Sequence, residues 1–90
     1  MSGNAPEPFL PTDPEEAFDE LCAIQDAILR RRKRGEPPAD RALWTRVLRL
    51  RRLLPLIFRA YRDDPAAYAL LSEVRAALEL LFSTLPEPDE

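Results

Sequence analysis

Apolar residues recur at intervals of three and four along most of the chain, which is the spacing of an amphipathic helix. Three such stretches are separated by segments that contain proline. The first runs from about residue 14 to 34, the second from residues 38–40 to about 62, and the third from residue 65 onward. The pattern therefore predicts three helices.

Local signals mark the ends of these helices. Asp13 and Asp64 each precede a proline, so each is expected to cap a helix that begins at that proline. Gly35 is a suitable residue to end the first helix, because glycine readily adopts the left-handed conformation found there. Pro55 lies inside the second stretch. Since a proline removes a backbone donor and clashes with the preceding turn, we expect a kink or a break at that point.

One apolar stripe on each helix forms the predicted core. The stripes are Ala17, Leu21, Ile24 and Ile28 on the first helix, Leu43, Val47, Leu50, Leu54, Ile57 and Tyr61 on the second, and Leu71, Val74, Leu78, Leu81 and Leu85 on the third. Phe18, Cys22 and Leu29 widen the first stripe, and Cys22 is expected to be a small core residue. The connection before Asp64 is short, so the second and third helices should form an antiparallel hairpin.

These observations predict an all-α fold, a small three-helix bundle in one domain. The bundle is expected to span residues 14–85, between a proline-rich acidic tail at 1–13 and an acidic tail at 86–90, both disordered. A chain of 90 residues has room for one such domain.

The composition excludes several kinds of chemistry. The chain has no histidine and one cysteine, which excludes a Ser-His-Asp triad, a Cys/His zinc site and an internal disulfide. There is no glycine-rich phosphate loop. The acidic cluster Glu15, Glu16, Asp19 and Glu20 is expected to be exposed at the start of a helix, where acids are favoured in any case. We therefore expect no enzymatic activity, cofactor, metal or small-molecule substrate.

The distribution of apolar residues also bears on location. No stretch resembles a signal peptide, and no uncharged run exceeds eight residues, whereas a membrane-spanning helix needs about 20 apolar residues. We expect a cytoplasmic protein without a membrane span. The nucleus is the alternative if the basic run described next is a targeting signal.

Charge is unevenly distributed. Residues 30–62 carry a net charge of +10, while residues 1–29 carry −7 and residues 63–90 carry −6. Five consecutive basic residues, Arg30 to Arg34, open the basic segment. Because successive helical residues are about 100° apart, these five point in all directions around the axis. That arrangement suits the negative end of a helix dipole.

A nucleic-acid site is the alternative interpretation of the basic segment. Its candidate residues are Arg30, Arg31, Arg32, Lys33, Arg34, Arg49 and Arg52. Clustered arginines can bind phosphates, but a dedicated nucleic-acid binder usually has a basic domain overall. This chain has a sequence pI of about 5.0.

The second helix carries more apolar surface than one packing stripe needs. Trp44, Leu48 and Phe58 lie away from the core stripe, beside Arg51 and Arg59, and aromatic residues with arginine are typical of binding hot spots. The alternatives are a central helix that contacts both neighbours, or a helix lying on an anionic membrane. We predict a non-enzymatic interaction protein (adaptor, inhibitor or regulatory subunit) that forms a homodimer or binds a protein partner through these residues.

Overall fold

The computed structural model describes residues 11–87. They form three α-helices of 20 residues each: α1 (Pro14–Lys33), α2 (Arg41–Ala60) and α3 (Pro65–Thr84). Each helix packs against both of the others. The described part of the chain contains no strand, so the predicted all-α three-helix bundle is confirmed.

Each helix begins at an aspartate cap. The side chains of these residues accept a hydrogen bond from the backbone N–H three positions later: Asp13 from Glu16 at 2.8 Å, Asp40 from Leu43 at 2.9 Å and Asp64 from Ala67 at 3.2 Å. Such a bond satisfies one of the backbone donors that have no partner within the helix. Two of the three caps follow from Asp-Pro pairs in the sequence, and the third lies within the predicted start of the second helix.

Helix α1 ends as the sequence predicts. Gly35 has a φ of +74°, a conformation that costs glycine little because it has no Cβ. Its N–H donates to the carbonyl of Arg32 at 3.0 Å, and the N–H of Glu36 donates to the carbonyl of Arg31 at 2.9 Å. This pair of bonds is a Schellman motif, which satisfies two carbonyls at the end of the helix.

Helix α2 continues through Pro55 as a single element. The sequence predicted either a kink or a break at Pro55, and the prediction of a break is wrong. Proline leaves the carbonyl four residues earlier, that of Arg51, without its usual helical donor. Pro55 is exposed, so that carbonyl lies on the side of the helix where water can reach it.

The connection between α2 and α3 is four residues long, from Tyr61 to Asp64. The N–H of Asp64 donates to the carbonyl of Tyr61 at 3.0 Å, which closes the turn. Because the connection is this short, α2 and α3 form the predicted antiparallel hairpin. Helix α1 also connects to α2 through a short loop, so α1 and α3 run in the same direction.

The core consists of the predicted stripes. Its fully enclosed centre is formed by Ile24, Val47, Leu50, Leu71, Val74 and Leu78. Tyr61 and Leu81, at the margins of their stripes, are half-buried. The predicted tails lie mostly outside the described residues. Within those residues, Pro11 is buried and the Thr12 N–H donates to Glu16 at 2.8 Å.

Candidate protein-binding surfaces

The basic run forms the last turn of α1 and the cap that follows it. Three of its five side chains form ion pairs with nearby carboxylates: Arg30 with Asp26, Arg31 with Asp40 at 3.3 Å and Arg34 with Glu36 at 3.2 Å. Arg31 also donates from Nε to the carbonyl of Pro37 at 2.7 Å. These contacts fasten the end of α1 to the loop before α2. Arg32 and Lys33 have no carboxylate within ion-pair distance among residues 11–87.

The side of α2 that faces α1 contains an ion pair whose acidic member is buried. Arg46 donates from Nη2 to Glu20 Oε1 at 2.7 Å and from Nε to Oε2 at 3.0 Å. Glu20 is buried, and its hydrogen bonds to Arg46 raise the pKa of that guanidinium above its usual value. The expectation that the whole acidic cluster is exposed is therefore wrong for Glu20. Its neighbours Glu15 and Asp19 are exposed.

The side of α2 that faces α3 is aromatic. Trp44 stacks on Phe82 with ring centroids 5.4 Å apart and an interplanar angle of 24°. The Arg51 guanidinium lies 4.3 Å from the centroid of the same Phe82 ring, and its Nε donates to Glu79 at 2.9 Å. The hydrogen bond from Arg51 to Glu79 raises the pKa of the guanidinium. Phe82, which does not belong to the predicted core stripe of the third helix, is therefore the centre of this contact.

A second aromatic pair lies further along the same side of α2. Phe58 meets Tyr68 of α3 edge to face, with ring centroids 5.0 Å apart, and Arg75 lies 4.9 Å from the Phe58 ring. These residues border a cleft of about 420 Å³ between α2 and α3, which also includes Arg59. Tyr68 was not identified from the sequence. A large aromatic residue one turn after the Asp64 cap, next to a short connection, could have indicated a contact with the preceding helix.

These contacts divide the residues predicted to bind a protein into two groups. Trp44, Arg51 and Phe58 pack against α3, which is the behaviour expected of a central helix. Leu48 is half-buried and Arg59 is exposed, and both lie on the side of α2 that faces away from the core. The mean helical positions of the two groups differ by roughly 70°.

The outward face of α2 is basic and apolar. We define it by Leu48, Arg49, Arg52, Leu56 and Arg59, which lie on the side opposite the core stripe. Leu56 was not predicted from the sequence, although it lies two turns after Leu48, and it is 57% exposed. Arg49, Arg52 and Arg59 have no ion-pair partner within residues 11–87. Helix α2 itself contains no acidic residue.

A second apolar surface lies on α1. Phe18 and Leu29 are 41% and 56% exposed, and Cys22 is exposed as well. The expectation that Cys22 is a core residue is wrong. The stripe that contains Ala17 and Ile24 faces the core, and the Phe18, Cys22 and Leu29 positions lie about 110° further round the helix. With only two neighbouring helices, the bundle does not cover both stripes.

Residues 11–87 contain no group of three or more histidine, cysteine, aspartate or glutamate side chains placed to hold a metal ion. None of the three helices is both long enough and apolar enough to cross a membrane. Compared with protein-family models, curated proteins and solved structures, the chain matches none of them.

Proposed function

We propose that this protein is a non-enzymatic interaction module whose outward face of α2 binds an acidic, amphipathic segment of a partner protein. The observation that carries this proposal is the set of three arginines, Arg49, Arg52 and Arg59, that form no ion pair with a carboxylate of residues 11–87. Elsewhere in the molecule, Arg46 and Arg51 each pair with a glutamate. The outward face therefore has cationic groups available to a partner.

The apolar residues of the face determine the chemistry of that partner. Leu48 and Leu56 lie eight residues apart, about 12 Å along the helix axis, with Arg52 midway between them. A partner helix with two apolar side chains two turns apart and acids beside them would match this spacing. In such an interface the apolar centre loses its water while the charged pairs form at the rim. Arginine suits the rim because its planar guanidinium binds a carboxylate through two parallel hydrogen bonds.

Nucleic acid is the second candidate partner. The same three arginines favour nucleic acid, because they could bind phosphates without first breaking an ion pair within residues 11–87. Against it, Arg30, Arg31 and Arg34 of the basic run already pair with acids. Leu48 and Leu56 would also gain no favourable contact from a phosphate backbone. The protein partner accounts for both the cations and the apolar residues, so it is the function that we propose.

Selection from a random peptide display library on the immobilised full chain tests the proposal. We expect enrichment of peptides that combine aspartate or glutamate with leucine or phenylalanine at helical spacing. Leu48→Glu and the double variant Arg52→Glu/Arg59→Glu should each weaken binding of a selected peptide at least tenfold. The matched control is Arg62→Glu, because Arg62 is also an exposed arginine without an ion-pair partner among the described residues but lies beyond the end of α2.

A folding control and a salt titration complete the test. Leu54→Glu should unfold the chain, because it places an unpaired charge in the core, whereas Leu48→Glu should retain its helical circular dichroism. Enriched peptides that bind all variants equally would overturn the proposal. Tight binding of mixed-sequence duplex DNA with a steep salt dependence would instead favour the nucleic-acid candidate.

A further inference from the structure

The exposed surface of α1 contains a complete heptad pattern separate from the one that faces the core. We call it the outer stripe; its residues are spaced by three and four positions in turn and all are exposed: Glu15, Phe18, Cys22, Gln25, Leu29 and Arg32. This is the spacing with which one helix packs lengthwise against another. Neither α2 nor α3 occupies the stripe, because the core-facing stripe of α1 already contacts both.

Helix α3 extends this surface. A groove of about 400 Å³ runs between the two helices, with Gln25, Leu29 and Arg32 on one side and Ala77, Leu80 and Thr84 on the other. Leu80 is 68% exposed, more than any other large apolar side chain of the described residues. Phe18, Leu29 and Leu80 thus expose apolar area on one side of the bundle, away from the outward face of α2.

The two ends of the outer stripe carry opposite charges. Glu15 lies at the start and Arg32 at the end, and neither has an ion-pair partner within residues 11–87. The apolar residues lie between them, with Phe18 near the acidic end and Leu29 near the basic end. The stripe is therefore complementary in charge to a reversed copy of itself.

We propose that the outer stripe of α1 packs antiparallel against the outer stripe of a second copy of this chain, forming a two-fold symmetric homodimer. The register follows from the symmetry, because a two-fold axis between residues 23 and 24 pairs positions whose numbers add to 47. Phe18 then meets Leu29 of the second copy, Cys22 meets Gln25, and Glu15 meets Arg32. Each of these three contacts occurs twice in the dimer, as an isologous interface requires.

The parallel arrangement would not satisfy these charges. It places Glu15 against Glu15 and Arg32 against Arg32, so that like charges oppose each other at both ends. In the antiparallel register, Leu80 also contributes, because it borders the same groove as Leu29 and so lies beside Phe18 of the second copy. The dimer uses a surface distinct from the outward face of α2 and does not depend on the proposed function.

Charge reversal at the two ends tests the dimer and its direction. Sedimentation equilibrium of the full chain should show a mass rising with concentration from 10.3 kDa toward twice that value. Glu15→Lys and Arg32→Glu should each weaken association at least tenfold, because each opposes like charges twice per dimer. An equimolar mixture of the two variants should associate again, since each supplies the charge that the other lacks.

The double variant Glu15→Lys/Arg32→Glu distinguishes the antiparallel from the parallel arrangement. It restores opposite charges only in the antiparallel register, so its association should return to the wild-type level. A double variant no better than the single ones would overturn the proposal, as would a wild-type mass that stays at 10.3 kDa over the micromolar range. Arg52→Glu is the control, because it lies on the other face and should leave the dimer intact.

Thiol cross-linking provides a second measurement that does not rely on charge. Cys22 is the sole cysteine of the chain. In the proposed register it lies next to the two-fold axis, and therefore close to Cys22 of the second copy. A short bismaleimide should therefore join two wild-type chains, and Glu15→Lys should suppress the product. A doubled mass without cross-linking would place the dimer contact on another face and would contradict the proposal.

Discussion

The two sides of helix α2 hold their neighbouring helices by different means. Toward α1, Arg46 binds Glu20 through two hydrogen bonds, and toward α3, Arg51 binds Glu79 through two as well. The bond geometries are similar, but the Glu20 side chain is 7% exposed and the Glu79 side chain 48%. The burial of the glutamate, and not the length of its hydrogen bonds, therefore determines how much stability is lost when the arginine is removed.

The aromatic rings account for the rest of the difference. On the α3 side, stacking of Trp44 on Phe82 and the position of Arg51 over the same ring hold the helices together even if Arg51 and Glu79 separate. On the α1 side, the Glu20 side chain is buried, and its hydrogen bonds to another side chain within the described residues are those from Arg46. We therefore expect the α1 side to depend on its ion pair and the α3 side on its rings.

The largest effect should come from Arg46→Met. It leaves the Glu20 carboxylate buried without a partner, which should lower the free energy of unfolding by about 2–3 kcal/mol. This is less than for a fully enclosed pair, because Arg46 itself is partly exposed. Urea unfolding followed by circular dichroism measures the change.

The double variant Glu20→Leu/Arg46→Met is the matched control. It removes both charges and replaces them with apolar groups, so most of the lost stability should return. A loss below about 1 kcal/mol for Arg46→Met alone would mean that water reaches Glu20, and the contrast between the two sides of α2 would disappear.

Phe82→Ala should have the next largest effect, about 1.5–2 kcal/mol, because it removes a half-buried ring that contacts both Trp44 and Arg51. Trp44 is the sole tryptophan of the chain, so its fluorescence should shift to longer wavelength as its ring meets water. Leu56→Ala is the control, since it deletes an exposed apolar side chain of α2 and should cost under about 0.5 kcal/mol. An unchanged emission spectrum in Phe82→Ala would argue against the stacking.

Arg51→Lys should lower stability only slightly. Lysine keeps the charge but loses the second hydrogen bond to Glu79 and the flat contact with Phe82. Because this pair is exposed, the difference from the wild type should shrink further at about 1 M salt. Urea midpoints at low and high salt measure it. A loss as large as that of Arg46→Met would show that the pair, and not the ring, holds α3.

The smallest effect concerns a carboxylate that has no cationic partner in the described part of the chain. The backbone N–H and the hydroxyl of Thr12 donate to Glu16, and these bonds lower the pKa of Glu16 below its ordinary value of 4.5. A lowered pKa means that Glu16 stabilises the fold above pH 4.5 and loses this contribution as the pH falls through its folded-state pKa. Glu16→Gln should therefore unfold slightly more readily than the wild type at pH 7, and this difference should shrink as the pH falls below 4.5 and Glu16 becomes protonated in the folded protein. A difference that does not shrink as the pH is lowered would contradict this account.

Much of the fold could be predicted because its signals are local. Asp13 and Asp64, each followed by proline, determine where two helices begin, and Gly35 determines where α1 ends. These signals act through backbone hydrogen bonds within a few residues, so they do not depend on the rest of the molecule. The core stripes of α2 and α3 were predictable for a related reason, since each helix has one stripe clearly richer in apolar residues.

The candidate surfaces were predicted less completely. Leu48 and Arg59 lie on the outward face of α2 as expected, and they remain part of the proposed partner site. Trp44 and Phe58 carry the same sequence signal but pack against α3, because their helical positions happen to face it. The binding role predicted for these two residues stays a prediction, with their packing partners now identified.

The amino-acid sequence alone predicts the three helices, their caps and the residues available for a core. It does not predict that Phe18, Cys22 and Leu29 of α1 are left exposed while the acidic residue Glu20 is buried. These outcomes depend on the packing of the helices, because burial requires a neighbouring helix and Arg46 on α2 makes it favourable to enclose Glu20. A stripe that two neighbours cannot cover remains exposed, and for that reason it is available to a second copy of the chain.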